Sequence, residues 1–432
     1  MGHAGAPAGG VVVTAGAPRT FLFLQGPPGA FFSRLGAALR AARHGVHRIN
    51  FHGGDALDWR AGPALAWRGR DHRWPDWLAA QLARLGVTDL VLFGDCRPLH
   101  RAAIGVAHRH GARVHVFEEG YLRPDWITLE RDGVNGHSTL PRDAAWFLAQ
   151  ARGLPAPPPH APIPGNFGAR ARAALGYYLA AYCSWPAYPH YTTHRGCHPA
   201  RELAGWALRL TRRRRAARQA AQATARLAGQ PYFLFPLQLD SDFQLRVHSP
   251  FGGLADALAR VIDDFARHAP AGYLLAIKSH PLDNGVTDWH GVAMRQARRA
   301  GMDGRLVWID GGDLDLLARH ACGMVTVNST SGTLALAAGV PVRVLGTAVY
   351  DLPGLTDPQP LATFWQAPCA PDAALFDAFR RVLGHRCLLH GGFHNAAAIG
   401  LLIGPVCRRL LGAAEPADTA APAPAALAGA IA

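Results

Sequence analysis

The chain has no run of about 20 consecutive apolar residues, the length that a membrane-spanning helix requires. Its start, residues 1–18, lacks basic residues ahead of an apolar core, and the only apolar core there is Val11–Val13. Residues 1–18 therefore do not resemble a secretory signal. We expect neither a spanning helix nor a signal peptide.

Cysteine is scarce and irregularly placed. The seven cysteines include no C-x-x-C pair. An odd number with irregular spacing argues against a disulfide framework and against a zinc site. A reducing compartment is the simpler interpretation, so we expect a cytoplasmic protein.

Several familiar active-site signatures are missing. No G-x-x-x-x-G-K-[ST] or G-x-G-x-x-G string stands at a strand-to-helix turn, and no G-x-S-x-G string supports a hydrolase. These absences disfavour an NTPase or a dinucleotide-dependent enzyme. We also find no nucleic-acid-binding module and expect no nucleic-acid partner.

The bulk composition favours a large globular protein with an anionic partner. A chain of 432 residues suggests two domains at about 100–200 residues each. Hydrophobic residues make up 49%, which is ample for packed cores. The net charge of +14 would attract nucleic acid, acidic lipid or an acidic substrate without choosing among them. The arginine-rich run 212–218 suits acidic headgroups, although a solvated helix face explains it equally well.

Strand-like and helix-like patterns alternate in two long stretches of the chain. This alternation is typical of parallel sheets with right-handed crossovers. We predict an α/β fold with two Rossmann-type, doubly wound halves facing a central cleft, where ligands bind outside the carboxyl ends of the strands. The predicted parts are disordered tails 1–18 and 413–432, an N-terminal acceptor-binding domain 19–200, a helical linker 201–230, a C-terminal donor-binding domain 231–371, and C-terminal helices 372–412.

Acidic clusters follow two of the predicted strands. Glu118-Glu119-Gly120 comes after RVHVF, a good position for a carboxylate that accepts a proton, although an ordinary acidic loop is the alternative. Asp240-x-Asp242 comes after YFLFPL and could supply a nucleophile, a base or metal ligands. A turn rich in Asp and Ser is the alternative there.

Phosphate-binding candidates follow two further strands. Lys278 and His280-Pro281 come after YLLAI, where a Lys and a His could neutralise phosphate. The hydroxyl-rich segment 328–333 precedes a short predicted helix. Its side chains could simply cap that helix, or its free N–H groups could hold a phosphate.

Several long and unusual strings of residues resemble one family. They are FLQGPPG near 22–29, RINFHGGD (48–55), LVLFGDCRPLHR (90–101), VFEEGYLRPDWITLE (116–130), FPLQLDSDFQLRVHSP (235–250), IKSHPLDNG (277–285) and VTVNSTSGTLAL (325–336). Together they resemble the capsule polysaccharide biosynthesis family, in particular its KpsS/LipB-type β-Kdo transferases.

The resemblance implies a GT-B-like fold and a specific reaction. The donor would be CMP-β-Kdo, and the first β-Kdo residue would be added to a (lyso)phosphatidylglycerol-type lipid with retention of configuration. The implied place is the inner face of the cytoplasmic membrane, where the protein would sit peripherally. A KpsC-type transferase would extend the Kdo linker, and a capsule export complex is a further implied partner. One set of motifs, rather than a duplicated module, favours the KpsS side.

The resemblance also assigns roles to residues. We hypothesise a double displacement with Asp242 as nucleophile and Glu119 as general base, Glu118 being the less favoured base. The implied donor-binding residues are Gln238, Lys278, His280, Pro281, Ser329, Thr330 and Ser331. The tentative acceptor-binding residues are Gly26, Gly29, Asn50, Asp55, Arg97 and Arg123. No metal and no cofactor are implied.

Two other functions remain open from the sequence. One is a metal-dependent nucleotide-sugar transferase that uses Asp240-x-Asp242. The other is a non-catalytic export or lipid-binding accessory protein that keeps the fold.

Overall fold

The computed structural model describes residues 17–157, 160, 162–163, 167–192, 199–302 and 304–412. Most of both predicted disordered tails, residues 1–16 and 413–432, lies outside these residues. The fold contains a seven-stranded and a five-stranded β-sheet, each with helices around it.

The first sheet is built from strands of the N-terminal half. They are β1 Thr20–Phe23, β2 Gly45–Asn50, β3 Ala64–Ala66, β4 Asp89–Phe93, β5 Arg113–Glu119 and β6 Trp126–Arg131. The spatial order β3-β2-β1-β4-β5 is parallel throughout, and β6 adds antiparallel to β5. This is the doubly wound order, in which the chain reverses direction across the sheet between β1 and β4.

Helices cover both faces of this sheet. They are α1 Phe31–Ala41, α2 Gly53–Asp58, α3 Trp74–Leu85, α4 Pro98–Arg109, α5 Ala144–Gln150 and α6 Phe167–Cys183, with 3₁₀ turns at Asp71–Arg73, Asn135–His137 and Trp185–Ala187. Residues at the helix termini explain where some of these helices begin and end. Pro98 starts α4, where its missing N–H costs nothing. Gly86 ends α3 in the left-handed conformation with φ 59°.

The second sheet repeats the same topology. Its strands are β7 Tyr232–Pro236, β8 Leu274–Lys278, β9 Leu306–Ile309, β10 Gly323–Thr326 and β11 Val342–Val344. Their order β11-β10-β7-β8-β9 is wholly parallel. The strands are buried on both faces, which explains uninterrupted apolar runs such as YFLFP. The predicted α/β fold with two Rossmann-type halves is confirmed.

Helices also surround the second sheet and link the halves. They are α7 Pro199–Leu227, α8 Phe243–Val247, α9 Leu254–His268, α10 Trp289–Arg299, α11 Leu314–Arg319, α12 Gly332–Ala337, α13 Leu361–Phe364, α14 Ala373–Arg386 and α15 Ala396–Leu411. The 29-residue helix α7 coincides with most of the predicted linker. It packs against β9 rather than standing apart from the domains.

The end of the chain returns to the first half. Between α14 and α15, the strand β12 Leu388–His390 pairs antiparallel with β6, and α15 packs against α1. The sequence predicts only helices over 372–412. A strand of three residues is too short to show alternation, so β12 and β3 escaped prediction. The six-residue strand β6 was not predicted either.

The two halves share a continuous apolar core. The largest cluster of buried apolar side chains includes residues from both sheets, among them Leu92 and Leu234. Throughout the part of the chain that the structure describes, no helix is both long and apolar enough to cross a membrane.

Candidate functional site

The point where strand order reverses in the second sheet carries a hydrogen-bonded network. Gln238 follows β7 and Asn328 follows β10, on either side of this point. The Gln238 Nε2 donates to Asn328 Oδ1 at 2.8 Å, and the Asn328 backbone N–H donates to Gln238 Oε1 at 3.2 Å. Ligands bind at such points in open α/β sheets.

Asp242 is held within this network. It caps α8, and its Oδ1 accepts the Gln244 backbone N–H at 2.9 Å. Burial raises its pKa, while the hydrogen bonds from Gln244 and Gln238 oppose that shift. The Gln238 side chain therefore orients the Asp242 carboxyl group towards a fixed position.

Asp240 faces different partners from Asp242. Its Oδ1 accepts the Leu254 backbone N–H at 2.9 Å, and its Oδ2 lies 3.3 Å from the Arg246 guanidinium. The two aspartates of the D-x-D string thus serve separate local contacts, which gives no support to a shared metal site.

Glu118 is the second-last residue of β5. It lies near enough to Asp242, which belongs to the other half, for the charge of Asp242 to act on it. Burial is the largest cause that raises its pKa, to about 8, and the charges of Asp242 and Glu119 add to it. The Glu119 backbone N–H, 2.9 Å from Glu118 Oε1, and the Arg97 guanidinium oppose the shift. Residues of both halves therefore share one electrostatic environment.

Glu119 is turned towards other groups. Its carboxylate lies 3.2 Å from Arg123 and 3.5 Å from His394, and its side chain is 32% exposed. Successive side chains of a strand point to opposite faces, so only one of the two glutamates can face Asp242. The geometry favours Glu118, contrary to the preference for Glu119 drawn from the sequence. It also places Arg123 with Glu119, outside the Glu118–Asp242 environment.

The hydroxyl-rich turn after β10 is organised internally. Ser331 precedes α12 but makes no side-chain cap to it, and its Oγ lies 2.9 Å from Ser329 Oγ. The Ser331 backbone N–H donates to Ser329 Oγ at 3.2 Å. Ser331 itself therefore does not cap α12, whereas Ser329 accepts a backbone N–H directly before that helix.

Thr333 connects this turn to the first half. Its Oγ1 is within hydrogen-bonding distance of the Thr330 carbonyl at 2.8 Å and of the Tyr121 carbonyl at 3.1 Å. Tyr121 directly follows Glu118-Glu119-Gly120. The structure therefore brings together Glu118, Asp242 and the turn that contains Ser329, Thr330 and Ser331.

Lys278 ends β8 and His280 follows it, so both lie at the same edge of the sheet as Asp242 but one strand away. Lys278 is buried, and burial lowers its pKa, with the charge of Asp310 opposing this. His280 Nδ1 accepts the Leu282 backbone N–H at 3.1 Å, and Pro281 continues that turn. Their contact with a donor phosphate remains a prediction.

The tentative acceptor residues divide into two groups. Asp55 is fully buried and accepts from the Phe51 backbone N–H at 2.9 Å and the Tyr177 hydroxyl at 2.8 Å, while Asn50 accepts from Arg48 Nε at 3.2 Å. Asp55 and Asn50 are therefore buried side chains that are held by structural hydrogen bonds.

Arg97 and the glycines lie at the end of β1 and β4. The Arg97 Nη1 donates to Gln25 Oε1 at 2.7 Å, at the reversal point of the first sheet. Gly29 has φ 118° and donates its N–H to Asp58 at 2.6 Å. At Gly26 a Cβ would meet Phe32 at 2.6 Å. Arg97 is thus the tentative acceptor residue that also lies near Glu118.

Sequence reasoning missed a polar cluster beside this site. Asp95, Cys96, His137 and His248 lie together although they come from distant segments. Asp95, Cys96 and His248 stand inside the strings LVLFGDCRPLHR and FPLQLDSDFQLRVHSP. The strings marked these positions as unusual, but their spacing gave no indication that they meet.

Comparison with known proteins decides the family. The model described as capsule polysaccharide biosynthesis protein matches residues 88–394. The chain belongs to this family. It is 37% identical over 382 residues to the capsule polysaccharide modification protein LipB of Neisseria meningitidis serogroup A, covering 87% of this chain and 91% of that protein. It is 34% identical over 370 residues to the capsule polysaccharide export protein KpsS of Escherichia coli, covering 84% and 94%.

Solved structures give weaker similarities. The β-Kdo 2,7 transferase KpsC of Thermosulfurimonas dismutans is 14% identical with a TM-score of 0.42, covering 90% of this chain and 100% of that chain. A putative UDP-N-acetylglucosamine 2-epimerase of Listeria monocytogenes is 11% identical with a TM-score of 0.33, covering 92% and 98%. Similarities at this level carry no argument for this member of the family, whose fold follows from its own strand order.

Proposed function

We propose that this capsule biosynthesis protein is a retaining glycosyltransferase that moves β-Kdo from CMP-β-Kdo to a (lyso)phosphatidylglycerol-type lipid. The product would start the Kdo linker of the capsular polysaccharide. The single observation that supports the proposal is that the charge of Asp242, from one half, contributes to the raised pKa of Glu118, from the other half. Retention at an anomeric centre by two inversions needs a carboxylate nucleophile and a separate acid/base.

In the first step, Asp242 attacks the anomeric carbon of the donor. An Asp242–sugar ester bond forms as the bond from the anomeric carbon to the phosphate oxygen breaks, and CMP leaves. The Gln238 side chain fixes the direction of the attack, because it hydrogen-bonds to both Asp242 and Asn328. Preorganised orientation of this kind lowers the barrier without any new chemical group.

In the second step, the acceptor hydroxyl oxygen attacks the anomeric carbon, the bond from that carbon to Asp242 breaks and frees the carboxylate, and Glu118 takes up the hydroxyl proton. With a pKa of about 8, Glu118 is mostly protonated at neutral pH in the free enzyme. Esterification removes the negative charge of Asp242, which is one cause of that raised pKa, so the pKa of Glu118 falls although burial remains the largest cause. A larger fraction of Glu118 is then the carboxylate that a base requires.

The remaining polar groups could bind the two phosphates of the reaction, which are the phosphate of CMP and that of the lipid headgroup. The Ser329–Ser331 turn, Lys278 and His280 lie at the same sheet edge as Asp242 and would stabilise the departing CMP. Arg97 belongs to the opposite half and would contact the phosphate of the lipid headgroup. The proposed mechanism uses no metal or cofactor.

We propose that the protein binds peripherally to the inner face of the cytoplasmic membrane. There it would act with a KpsC-type transferase and a capsule export complex. The relative from Escherichia coli is named an export protein, and helix α7 exposes Arg212–Arg215. Arginines near a membrane attract anionic lipid. Flotation with anionic vesicles should recover the protein and should weaken as salt rises. Flotation that ignores both lipid charge and salt would contradict this setting.

The activity itself is tested by incubating the protein with CMP-Kdo and a fluorescent lysophosphatidylglycerol. We expect a Kdo-modified lipid whose linkage is β by NMR, formed without added Mg²⁺ or Mn²⁺. Asp242→Ala should abolish the product while CMP binding stays measurable. A well-folded wild-type protein that binds CMP and lipid but makes no product would instead indicate an accessory protein, and product that forms only when Mg²⁺ or Mn²⁺ is added would indicate a metal-dependent transfer.

A further inference from the structure

A cluster of four potential metal ligands lies at the junction of the two halves. One ligand atom from each of Asp95, Cys96, His137 and His248 lies within 4.8 Å of each of the others. Asp95 and Cys96 follow β4, and His137 ends the 3₁₀ turn after β6. His248 directly follows α8 in the second half. None of these residues is used by the transfer mechanism above.

Three contacts within the cluster can be compared with a tetrahedral site. Cys96 Sγ is 3.1 Å from Asp95 Oδ1 and 3.2 Å from His248 Nε2, and His137 Nδ1 is 3.1 Å from Asp95 Oδ2. Zinc bonds of about 2.0–2.3 Å to oxygen, nitrogen and sulfur place ligand atoms about 3.3–3.6 Å apart around a tetrahedron. The three contacts, which involve both oxygens of Asp95, are slightly shorter than that, and the four ligand atoms all lie within 4.8 Å of one another. Small side-chain rotations would therefore be needed for all four residues to reach one ion.

The ligand types also select a class of ion. One thiolate, two imidazoles and one carboxylate suit Zn²⁺ or a similar borderline transition ion, whereas Mg²⁺ and Ca²⁺ prefer oxygen ligands alone. This set is separate from the Asp240-x-Asp242 string.

The surrounding structure holds the ligands in place. Asp95 Oδ2 also accepts the Val134 backbone N–H at 3.0 Å, a second contact of the kind that orients metal ligands. The absence of a side chain at Gly136 makes room for the His248 ring, because a Cβ there would collide with that ring. The His248 carbonyl accepts from Asn328 Nδ2 at 3.2 Å, which connects the cluster to the Gln238–Asp242 network.

We propose that Asp95, Cys96, His137 and His248 bind one Zn²⁺ ion that cross-links the two halves beside the cleft. Asp95, Cys96 and His137 belong to the first half and His248 to the second, so the bonds to the ion span the domain junction. Its role is structural, because it fixes the loop after β4 relative to the loop after α8. The inference does not depend on the identity of the sugar or the acceptor.

The test is metal binding by the full chain after removal of metal with a chelator. Reloading with Zn²⁺ and gel filtration should leave one equivalent by elemental analysis. Loading with Co²⁺ should give thiolate-to-cobalt charge-transfer absorption and the intense visible bands of a tetrahedral ion. Zn²⁺ should raise the melting temperature of the wild-type protein.

Matched variants separate this site from incidental binding. Cys96→Ser should remove the charge-transfer band, and His137→Gln should weaken Zn²⁺ binding at least about tenfold, the scale expected even for outer-shell partners. His137 is 45% exposed, so His137→Gln should fold even if Cys96→Ser does not. Cys183→Ser, at an exposed cysteine, should bind Zn²⁺ and Co²⁺ as the wild type does. Wild-type protein that retains no Zn²⁺, or Co²⁺ spectra that are unchanged in Cys96→Ser, would show a hydrogen-bonded cluster only and overturn the proposal.

Discussion

Glu118 and Asp242 come from different sheets, yet the charge of Asp242 contributes to the raised pKa of Glu118. The two halves therefore place acidic groups within electrostatic reach of each other. A direct contact also links the halves, because the Thr333 hydroxyl lies within hydrogen-bonding distance of the Tyr121 and Thr330 carbonyls. The predictions below test this arrangement group by group.

The two neighbouring glutamates should differ in their effect on transfer. Glu118→Gln should lower turnover about 10²–10⁴-fold, the usual contribution of a general acid or base. Glu119→Gln should change it only slightly, because Glu119 pairs with Arg123 and His394. Steady-state kinetics with CMP-Kdo and lysophosphatidylglycerol would measure both. The reverse ranking of the two variants would return the role of base to Glu119.

Gln238 should matter for the first step more than for folding. In Gln238→Ala, Asp242 loses an orienting hydrogen bond, so release of CMP in a single turnover should slow by up to about 10²-fold, the scale of a small misplacement. Gln230→Ala, at an exposed position, serves as the control. A normal rate of CMP release in Gln238→Ala would mean that Asp242 needs no such orientation.

Thr333 should stabilise the junction between the halves. Thr333→Val keeps the shape of the side chain but leaves the Tyr121 carbonyl without its partner. The free energy of unfolding should fall by about 1–3 kcal/mol, the cost of an unsatisfied buried group. Urea unfolding monitored by tryptophan fluorescence would measure this. Unchanged stability in Thr333→Val would indicate that the contact contributes nothing.

Asp89 should make the stability of the first half depend on pH. Burial alone raises the pKa of Asp89, but hydrogen bonds from His115 at 2.8 Å, from Arg19 and from Thr88 at 2.7 Å outweigh it and hold that pKa below its ordinary value. A depressed pKa stabilises the folded state above the unfolded value, near about pH 4, and this contribution fades as the pH falls below it.

The Asp89→Asn variant tests the direction of this pH dependence of stability. At pH 7 it should lower the free energy of unfolding by about 3–5 kcal/mol, because it leaves the largely buried Arg19 guanidinium without its partner. The difference from wild type should shrink in urea unfolding below about pH 4. Asp132→Asn removes a 45% exposed carboxylate paired with His108 and should cost less than about 1 kcal/mol. If the loss of unfolding free energy in Asp89→Asn does not change with pH, the depressed pKa of Asp89 would be contradicted.

Much of the fold could be predicted because buried parallel strands leave plain apolar runs. Both Rossmann-type halves and the clusters that follow β5, β7, β8 and β10 were predicted in this way. The missed strands β3 and β12 have three residues each, and pairing with longer neighbours rather than local pattern makes them strands.

The orientation of individual side chains could not be predicted from the sequence. The predicted strand 113–117 ends two residues before β5 does, and this extension decides that Glu118 and Glu119 face different sides. Asp55 was predicted tentatively to bind the acceptor, and its burial could not be foreseen because the hydroxyl that donates to it belongs to Tyr177, far along the chain. Likewise, Cys96 and His248 are separated by 152 residues, so no spacing rule could identify their cluster.

Mass spectrometry of the peptide that contains Asp242 tests the proposed nucleophile most directly. The Glu118→Gln variant, mixed with CMP-Kdo and quenched in acid, should accumulate the intermediate because its second step lacks a base. We predict that this peptide gains the mass of one Kdo residue, located on Asp242 by fragmentation. Wild-type transfer with β linkage that leaves no such adduct, together with normal turnover in Asp242→Ala, would contradict Asp242 as the nucleophile.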